Sequence, residues 1–305
     1  MFQNPQSADP LKPEPQGIPA GYELAAWIHM SDFILNITAP KFYGIVARSV
    51  ADSTLRVIAI RGKESAVEWI DDGAAILVPF HQVPSAGKVA YGFDKIYGSL
   101  KVVKYSKPGT MALAVGAAPE TYTGSFAEQL EQLAKSHEAE RGIALAMTPE
   151  ATRPPRPTVV TAHSLGSALA TLFVMENDDK GKFDLTTVCT IASPRVGNQA
   201  FVDLFNQLPI NSWRIVNTRD LVPKLPLHIP VVADYEHVDV AYPFDSEGFA
   251  KNNLGCWHSM GTYLHWLDSS SPVLPECAPW FLGAEPAETC LGGVGSDIQV
   301  SRQPG

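Results

Sequence analysis

Residues 157–177, PTVVTAHSLGSALATLFVMEN, decide the fold of this chain. A run of β-branched residues leads into AHSLG at 162–166, and an Ala- and Leu-rich stretch with helical character follows at once. Strand, tight turn and helix with a serine at the apex is the pattern of a nucleophile elbow. Such a turn strains the serine backbone, so small residues are required two positions before it (Ala162) and two after it (Gly166). The segment predicts that Ser164 is a nucleophile; the alternative is a serine that caps a helix in an ordinary βα loop.

The length and net charge of the chain limit the classes of function that it can have. The chain has 305 residues, 45% of them apolar, which is enough for one sizeable core. Its 23 Lys and Arg against 32 Asp and Glu give a net charge of −9 without a basic block, so nucleic acid is not an expected partner. No run of 18 apolar residues predicts a transmembrane segment. We expect a mobile N-terminal arm over residues 1–20 and a single domain over 21–305.

The four cysteines show no metal-site spacing, and no metal or cofactor is expected. Cys189 lies in an apolar run and reads as a buried small side chain. Cys277 and Cys290 lie in a Pro- and Gly-rich tail, where they either form a disulfide or stay reduced. The sequence shows no signal peptide and does not decide the cellular compartment. The acidic surface and the possible disulfide favour export.

Strand patterns alternate with helical patterns along the chain, which predicts a mostly parallel sheet covered on both faces. The predicted strands lie at 42–50, 55–60, 74–80, 185–192, 213–217 and 238–241. The predicted helices lie at 22–35, 65–69, 126–147 and 257–267.

A serine nucleophile needs a base, and the base needs a group that orients it. Asp220 directly follows a predicted strand, where site residues of open α/β sheets lie; a turn aspartate is the alternative. His258 and His265 both come later, and His258 is preferred because it lies at a loop–helix junction. His163 is expected to point away from the site and to support the turn.

An oxyanion hole needs two donors. The backbone N–H of Leu165, the residue after the serine, is the first. The turn after the strand at 55–60, which contains Gly62, offers the N–H of Lys63 as the second.

Four segments together resemble the class 3 lipases: IRGKESAVEWI at 60–70, the HSLG segment, SPRVGN at 193–198, and NTRDLVPKLP at 217–226 with HSMGTYL at 258–264. The resemblance covers residues 45–267 and implies an α/β-hydrolase fold with a central mostly parallel sheet. It implies that Ser164, Asp220 and His258 are the catalytic triad. Two departures are Ala162 in place of glycine and Lys63 in place of a small hydroxyl residue.

The resemblance also implies a lid after the oxyanion turn, which here includes Glu64, Ser65 and Trp69. The expected activity is that of a serine carboxylic ester hydrolase, foremost a triacylglycerol lipase, acting on lipid or other esters at a lipid–water interface. Phospholipase A1, a short-chain or feruloyl esterase, and a non-catalytic lipase-like binding protein are the alternatives.

Overall fold

The computed structural model describes residues 11, 17–32, 37–52, 54–62, 75–105, 121–140, 156–227 and 234–278. The strands are β1 (Tyr22–Asp32), β2 (Ile37–Ser49), β3 (Arg56–Ile60), β4 (Leu77–Pro79), β5 (Lys88–Ala90), β6 (Lys101–Lys104), β7 (Pro157–His163), β8 (Asp184–Ile191), β9 (Asn211–Asn217) and β10 (Ala241–Phe244). The helices are α1 (Tyr91–Gly98), α2 (Phe126–Glu140), α3 (Leu165–Lys180), α4 (Gln199–Phe205), α5 (Leu254–His258) and α6 (Met260–Leu267).

Eight strands form one sheet in the order β10-β9-β8-β7-β3-β2-β1-β6, while β4 and β5 pair separately. The neighbours from β3 to β10 run parallel, and β1, β2 and β6 add antiparallel pairs. The parallel half brings the carboxyl ends of β3, β7, β8 and β9 to one edge. Residues that follow those strands therefore meet there.

Helices cover both faces of the sheet, which confirms the expected α/β-hydrolase architecture. Helix α3 is buried from Leu165 to Asn177 and packs with Ile58 and Val160 into the largest core cluster. On the opposite face, Tyr263 of α6 packs against Ile215 and Phe244. Because β7 ends at His163 and α3 begins at Leu165, Ser164 is the single residue between the strand and the helix.

The helix predicted at 22–35 is wrong over residues 22–32, which form β1, and residues 33–35 lie outside the described residues. Leu24 and Trp27 belong to one apolar cluster although they lie three residues apart. The pairing of β1 with β2 shifts register between Leu24 and Ala26, so a bulge breaks the strict alternation of a strand. Because of this bulge, two apolar residues on one face of β1 are three positions apart in the sequence, which is also the spacing of a helix.

Smaller differences concern element ends. The single helix predicted at 257–267 is two helices, α5 and α6, separated at Ser259, whose backbone is extended and whose side chain caps α6. The last strand is β10 at Ala241–Phe244, rather than 238–241. The predicted short helix at 65–69 and residues 141–147 of the predicted helix at 126–147 lie outside the described residues.

Candidate active site

Ser164 stands at the sharp turn between β7 and α3. Its φ is 57°, in the left-handed region that residues other than glycine rarely adopt. The strained backbone is held by the Ser164 N–H, which donates to the carbonyl oxygen of Ile191 at 2.9 Å. The turn points the serine side chain towards the edge where the parallel strands end.

The small residue predicted after Ser164 has a clear structural reason. A Cβ atom added to Gly166 would lie 2.5 Å from the carbonyl oxygens of both Ile60 and Arg61. Gly62 is similarly tight, since a Cβ there would lie 2.6 Å from the Cβ of Ser164. The end of β3 therefore lies directly against the serine turn, and only glycine permits this approach.

The structure brings Ser164, His258 and Asp220 into one chain of hydrogen bonds. Ser164 Oγ lies 2.8 Å from His258 Nε2, and His258 Nδ1 lies 2.7 Å from Asp220 Oδ2. The carboxylate accepts from Nδ1–H, which leaves Nε2 to accept the serine proton. Ser164 and Asp220 are 0% and 1% exposed, so water does not compete for these bonds. These distances suit a serine, a base and a group that orients the base.

Asp220 is held by two further donors. The backbone N–H of Val222 donates to Oδ1 at 2.9 Å, and the hydroxyl of Tyr263 donates to Oδ2 at 2.9 Å. Burial, and then the negative charge of Asp220, raise the pKa of Tyr263 well above its usual value, so its hydroxyl keeps its proton. Burial of a polar group costs free energy unless it is hydrogen-bonded, and these donors bond both carboxylate oxygens of Asp220.

Asn217, the last residue of β9, ties the segments that carry Asp220 and His258 together. Its side-chain amide donates to the carbonyl oxygen of Trp257 and to Ser246 Oγ, both at 2.9 Å. Its backbone N–H donates to the Tyr263 hydroxyl at 3.0 Å. The sequence reasoning did not assign roles to Asn217 or Tyr263, although both lie within segments that carried the family resemblance.

His163 does not point away from the site, contrary to expectation. Its Nε2–H donates to the carbonyl oxygen of His258 at 2.9 Å, and the two rings lie 4.7 Å apart. Burial, reinforced by the neighbouring His258, lowers the pKa of His163 to about 3. His163 is therefore neutral near pH 7 and adds no positive charge beside His258.

Of the predicted oxyanion donors and lid residues, only Leu165 lies within the described residues. Leu165 is the first residue of α3, so its N–H has no acceptor within the helix and is available at the serine turn. Lys63, Glu64, Ser65 and Trp69 lie outside the described residues.

A disulfide joins Cys256 to Cys277. The sequence offered Cys277 with Cys290 as one possibility, and that pairing is wrong because Cys277 is bonded to Cys256. The bond anchors α5 two residues before His258, where the sequence gave no indication of a partner. Cys189 is free.

Two further histidines of the described residues, His237 and His265, bond backbone carbonyl oxygens outside the triad. His265 contacts the carbonyl oxygen of Ser271, and His237 donates to the carbonyl oxygen of Pro223 in the loop after Asp220. His228 and Cys290 lie outside the described residues, as does the apolar segment at 111–115.

A cavity of about 1110 Å³ lies on the face of the sheet opposite α3. Gly62, His163 and His258 border it. Much of its wall is apolar, including Leu24, Phe42, Ile45, Val57, Ala59 and Leu264. An apolar space that reaches His258 suits a hydrophobic ligand.

Within the described residues, no group of three His, Cys, Asp or Glu side chains is arranged to hold a metal ion. None of the helices in this part of the chain is both long and apolar enough to cross a membrane.

Comparison with known proteins gives the family. The family model for lipase (class 3) matches residues 57–229, more than half of the chain. The chain belongs to the class 3 lipase family. The match includes Ser164 and Asp220, and the resemblance inferred from the motifs is confirmed.

Two curated relatives illustrate the range of this lipase family. Phospholipase A1-Igamma2 of Arabidopsis thaliana is 29% identical over 245 residues, covering 68% of this chain and 41% of the relative. Secreted mono- and diacylglycerol lipase 1 of Fusarium solani is 36% identical over 125 residues, covering 41% of this chain and 34% of the relative. The chain spans only 41–54% of the length of three phospholipase A1 relatives.

Among solved structures, Rhizomucor miehei lipase in its propeptide complex is similar, with a TM-score of 0.47 and 22% identity. The similarity covers 80% of this chain and 66% of that structure.

Proposed function

We propose that this class 3 lipase family member is a serine carboxylic ester hydrolase that cleaves acyl esters of glycerolipids. The observation that carries the proposal is the continuous chain of hydrogen bonds from Ser164 through His258 to the buried Asp220. Membership of the lipase family and the apolar cavity beside His258 support it.

In the first half-reaction, Ser164 Oγ attacks the ester carbonyl carbon while His258 Nε2 accepts the serine proton. Asp220 holds the imidazole in the required orientation and stabilises its positive charge. The N–H groups of Leu165 and Lys63 stabilise the negative oxygen of the tetrahedral intermediate. As the C–O bond breaks, His258 returns the proton to the leaving alcohol and an acyl-enzyme remains.

In the second half-reaction, water attacks the acyl carbonyl and gives a proton to His258 Nε2. Collapse of the second intermediate releases the carboxylic acid and returns the proton to Ser164 Oγ. The residues named so far suffice for both steps, and the proposed mechanism uses no metal or organic cofactor.

The substrate class is proposed from the cavity and from the relatives. A lipid acyl chain suits an apolar cavity that borders His258. The relatives are named as phospholipases A1 and as a mono- and diacylglycerol lipase, so the proposed substrates include neutral acylglycerols and phospholipids. We keep Glu64, Ser65 and Trp69 as the proposed lid residues. We also propose that the enzyme acts at a lipid–water interface.

Hydrolysis of p-nitrophenyl esters of increasing acyl length tests the proposal. Wild type, Ser164→Ala and the control Ser212→Ala, which alters a serine at the far end of β9, are compared with their folds checked by circular dichroism. We expect turnover by wild type and the control and its loss in Ser164→Ala. A long-chain optimum indicates a lipase, and a short-chain optimum indicates an esterase. A folded wild type without activity on any ester, with or without lipid vesicles, refutes the proposal in favour of a binding protein.

A further inference from the structure

Two stacked aromatic rings are exposed at the edge of the large sheet, apart from the triad. The rings of Trp213 in β9 and Tyr242 in β10 have centroids 4.6 Å apart, and the two residues are 44% and 40% exposed. Trp213 lies four residues before Asn217, where β9 ends. At about 3.3 Å per residue, it is about 13 Å along the strand from the end that leads to Asp220. The ring pair forms an apolar platform that a ligand can cover.

A pocket of about 250 Å³ opens beside these rings. Trp213 and Tyr242 form part of its wall, and Asn206, Asn211 and Asp239 are among its polar residues. Pockets for drug-sized ligands have volumes of about 300–1,000 Å³. The pocket therefore suits one small ring rather than a long acyl chain.

Asp239 has an acceptor that the protein does not use. Its Oδ1 accepts the N–H of Val240 at 2.7 Å, whereas its buried Oδ2 has no hydrogen-bond partner within the described residues. Its φ is 56°, a strained value for a residue other than glycine. A buried oxygen without a donor raises the free energy of the empty pocket. Because χ2 of aspartate is soft, a small rotation presents Oδ2 to a ligand hydroxyl.

Asn206 and Asn211 add one donor and one further acceptor. The Oδ1 of Asn206 accepts the N–H of Asp239 at 2.8 Å, which leaves its Nδ2 to donate. The Nδ2 of Asn211 donates to the carbonyl oxygen of Thr186 at 3.1 Å, which leaves its Oδ1 to accept. The pocket thus offers donors and acceptors beside an aromatic platform.

The charges around Asp239 favour a neutral ligand. Buried Arg214 donates from Nε to the carbonyl oxygen of Val238 at 3.0 Å and from a terminal nitrogen to that of Asp239 at 3.4 Å. Burial lowers the pKa of Arg214, and the nearby negative charge of Asp239 opposes this effect. A cation at the pocket would meet the charge of Arg214, and an anion would meet that of Asp239. A hydroxyl that donates to Oδ2 avoids both penalties.

We propose that the pocket beside Trp213 and Tyr242 binds a neutral hexopyranose ring, at a site separate from the triad. A pyranose has a face of C–H groups, which stacks on the negative faces of aromatic rings, and a rim of hydroxyls. Stacked on the ring pair, it brings hydroxyls to Asp239 and to the two asparagines. A partner strand is a poor alternative, because β10 has four residues and Pro243 among them lacks an N–H.

Binding of methyl glycosides tests the proposal. The methyl glycosides of glucose, galactose, mannose and N-acetylglucosamine are titrated into the full chain by saturation-transfer difference NMR. The proteins are wild type, Trp213→Ala, Asp239→Asn and the control Trp266→Ala. Trp266 is 41% exposed and stacks on Phe244, but it lies outside the pocket. Asparagine tolerates a left-handed φ, so Asp239→Asn should keep the local backbone.

We expect wild type to bind at least one glycoside with a dissociation constant in the millimolar range. Trp213→Ala should weaken that binding about tenfold, because half of the stacking platform is lost. Asp239→Asn should weaken it about fivefold or more, because an NH₂ group replaces an acceptor oxygen. Trp266→Ala should stay within twofold of wild type.

The proposal is overturned if wild type binds none of the glycosides, or if Trp213→Ala and Trp266→Ala weaken binding equally. A glycoside that competitively inhibits the hydrolysis of p-nitrophenyl butyrate binds at the triad, which also overturns it. Because no triad residue lines the pocket, the binding test stands whether or not the protein hydrolyses esters.

If Trp213→Ala does not fold, ¹⁹F NMR of wild type labelled with 5-fluorotryptophan decides. The chain has six tryptophans, and Trp213→Phe identifies the signal of Trp213. We expect the glycoside to shift this signal most, and shifts confined to other signals overturn the proposal.

The pyranose can belong to a polysaccharide or to the headgroup of a glycolipid. Co-sedimentation with insoluble starch and with vesicles that contain monogalactosyldiacylglycerol distinguishes these sources. Whichever of them retains wild type should retain Trp213→Ala less, and equal retention of the two proteins overturns the proposal.

Discussion

Replacing Gly166 with alanine should separate the serine turn from the end of β3. An added Cβ would lie 2.5 Å from the carbonyl oxygens of Ile60 and Arg61, whereas ordinary contacts begin at 3.4 Å. The backbones must therefore move apart by 3.4 − 2.5 = 0.9 Å. Neither oxygen belongs to a flexible side chain that could turn aside, so β3 or α3 itself must shift.

The shift should affect both stability and catalysis. Overpacking of this kind lowers the free energy of unfolding by about 1–3 kcal/mol. Displacement of the turn at Gly62 also moves the proposed Lys63 donor away from the oxyanion that forms at Ser164. Misplacement by about 1 Å can lower kcat by about 100-fold, so we expect Gly166→Ala to lose more activity than stability.

The assay measures kcat/KM on p-nitrophenyl butyrate and the free energy of unfolding in urea. Gly98→Ala is the matched control, because a Cβ on Gly98 at the end of α1 meets no atom within 4 Å. We expect the control to keep wild-type activity and equal or slightly higher stability. The reasoning is refuted if Gly166→Ala keeps more than a third of wild-type kcat/KM with unchanged stability.

Three further predictions concern the groups around the triad. Tyr263→Phe removes a donor from the buried Asp220, so urea titration should show a loss of about 2 kcal/mol and kcat/KM should fall about tenfold; unchanged values would contradict this. Because the pKa of His163 is lowered from 6.5 to about 3, the unfolded chain takes up a proton first as pH falls, and the protein loses stability from pH 6.5 towards 3. His163→Gln should lose less over that range in urea titrations at pH 6.5 and 4.5, and equal losses would argue against a buried neutral histidine. Cys277→Ser should lower the free energy of unfolding by about 2–4 kcal/mol, whereas Cys189→Ser, at a free cysteine, should not; equal effects in the two variants would show that the disulfide does not stabilise the fold.

The turn at Ser164 could be predicted because its sequence requirement is local. A strained serine between a strand and a helix needs small residues two positions before and after it, and Ala162 and Gly166 meet this requirement. The positions of Asp220 and His258 were predictable because chain order and the ends of strands restrict the candidates. The structure places His258 against Ser164 and Asp220 against His258.

Strand β1 was missed because its cause is not local. Leu24 and Trp27 share a face only after the bulge opposite β2 is formed. The bulge depends on a partner strand that apolar spacing within residues 22–35 does not reveal. A helical period and a bulged strand therefore look alike in such a segment.

The surroundings of the triad were missed for the same reason. His163 reaches the carbonyl oxygen of His258 because the ends of β7 and α5 meet in three dimensions. Cys256 pairs with Cys277, 21 residues later, because the fold brings these two positions together. Residue type and chain order do not give such contacts.

Labelling by an alkyl fluorophosphonate tests most directly whether Ser164 is an activated nucleophile. The serine oxygen attacks phosphorus, fluoride leaves, and a stable phosphonate ester remains on the enzyme. Peptide mass spectrometry should find one equivalent on the peptide that contains Ser164, with ester hydrolysis lost in proportion, and a folded His258→Ala variant should label far more slowly. Labelling at another residue, or full activity after complete modification of Ser164, would contradict the triad.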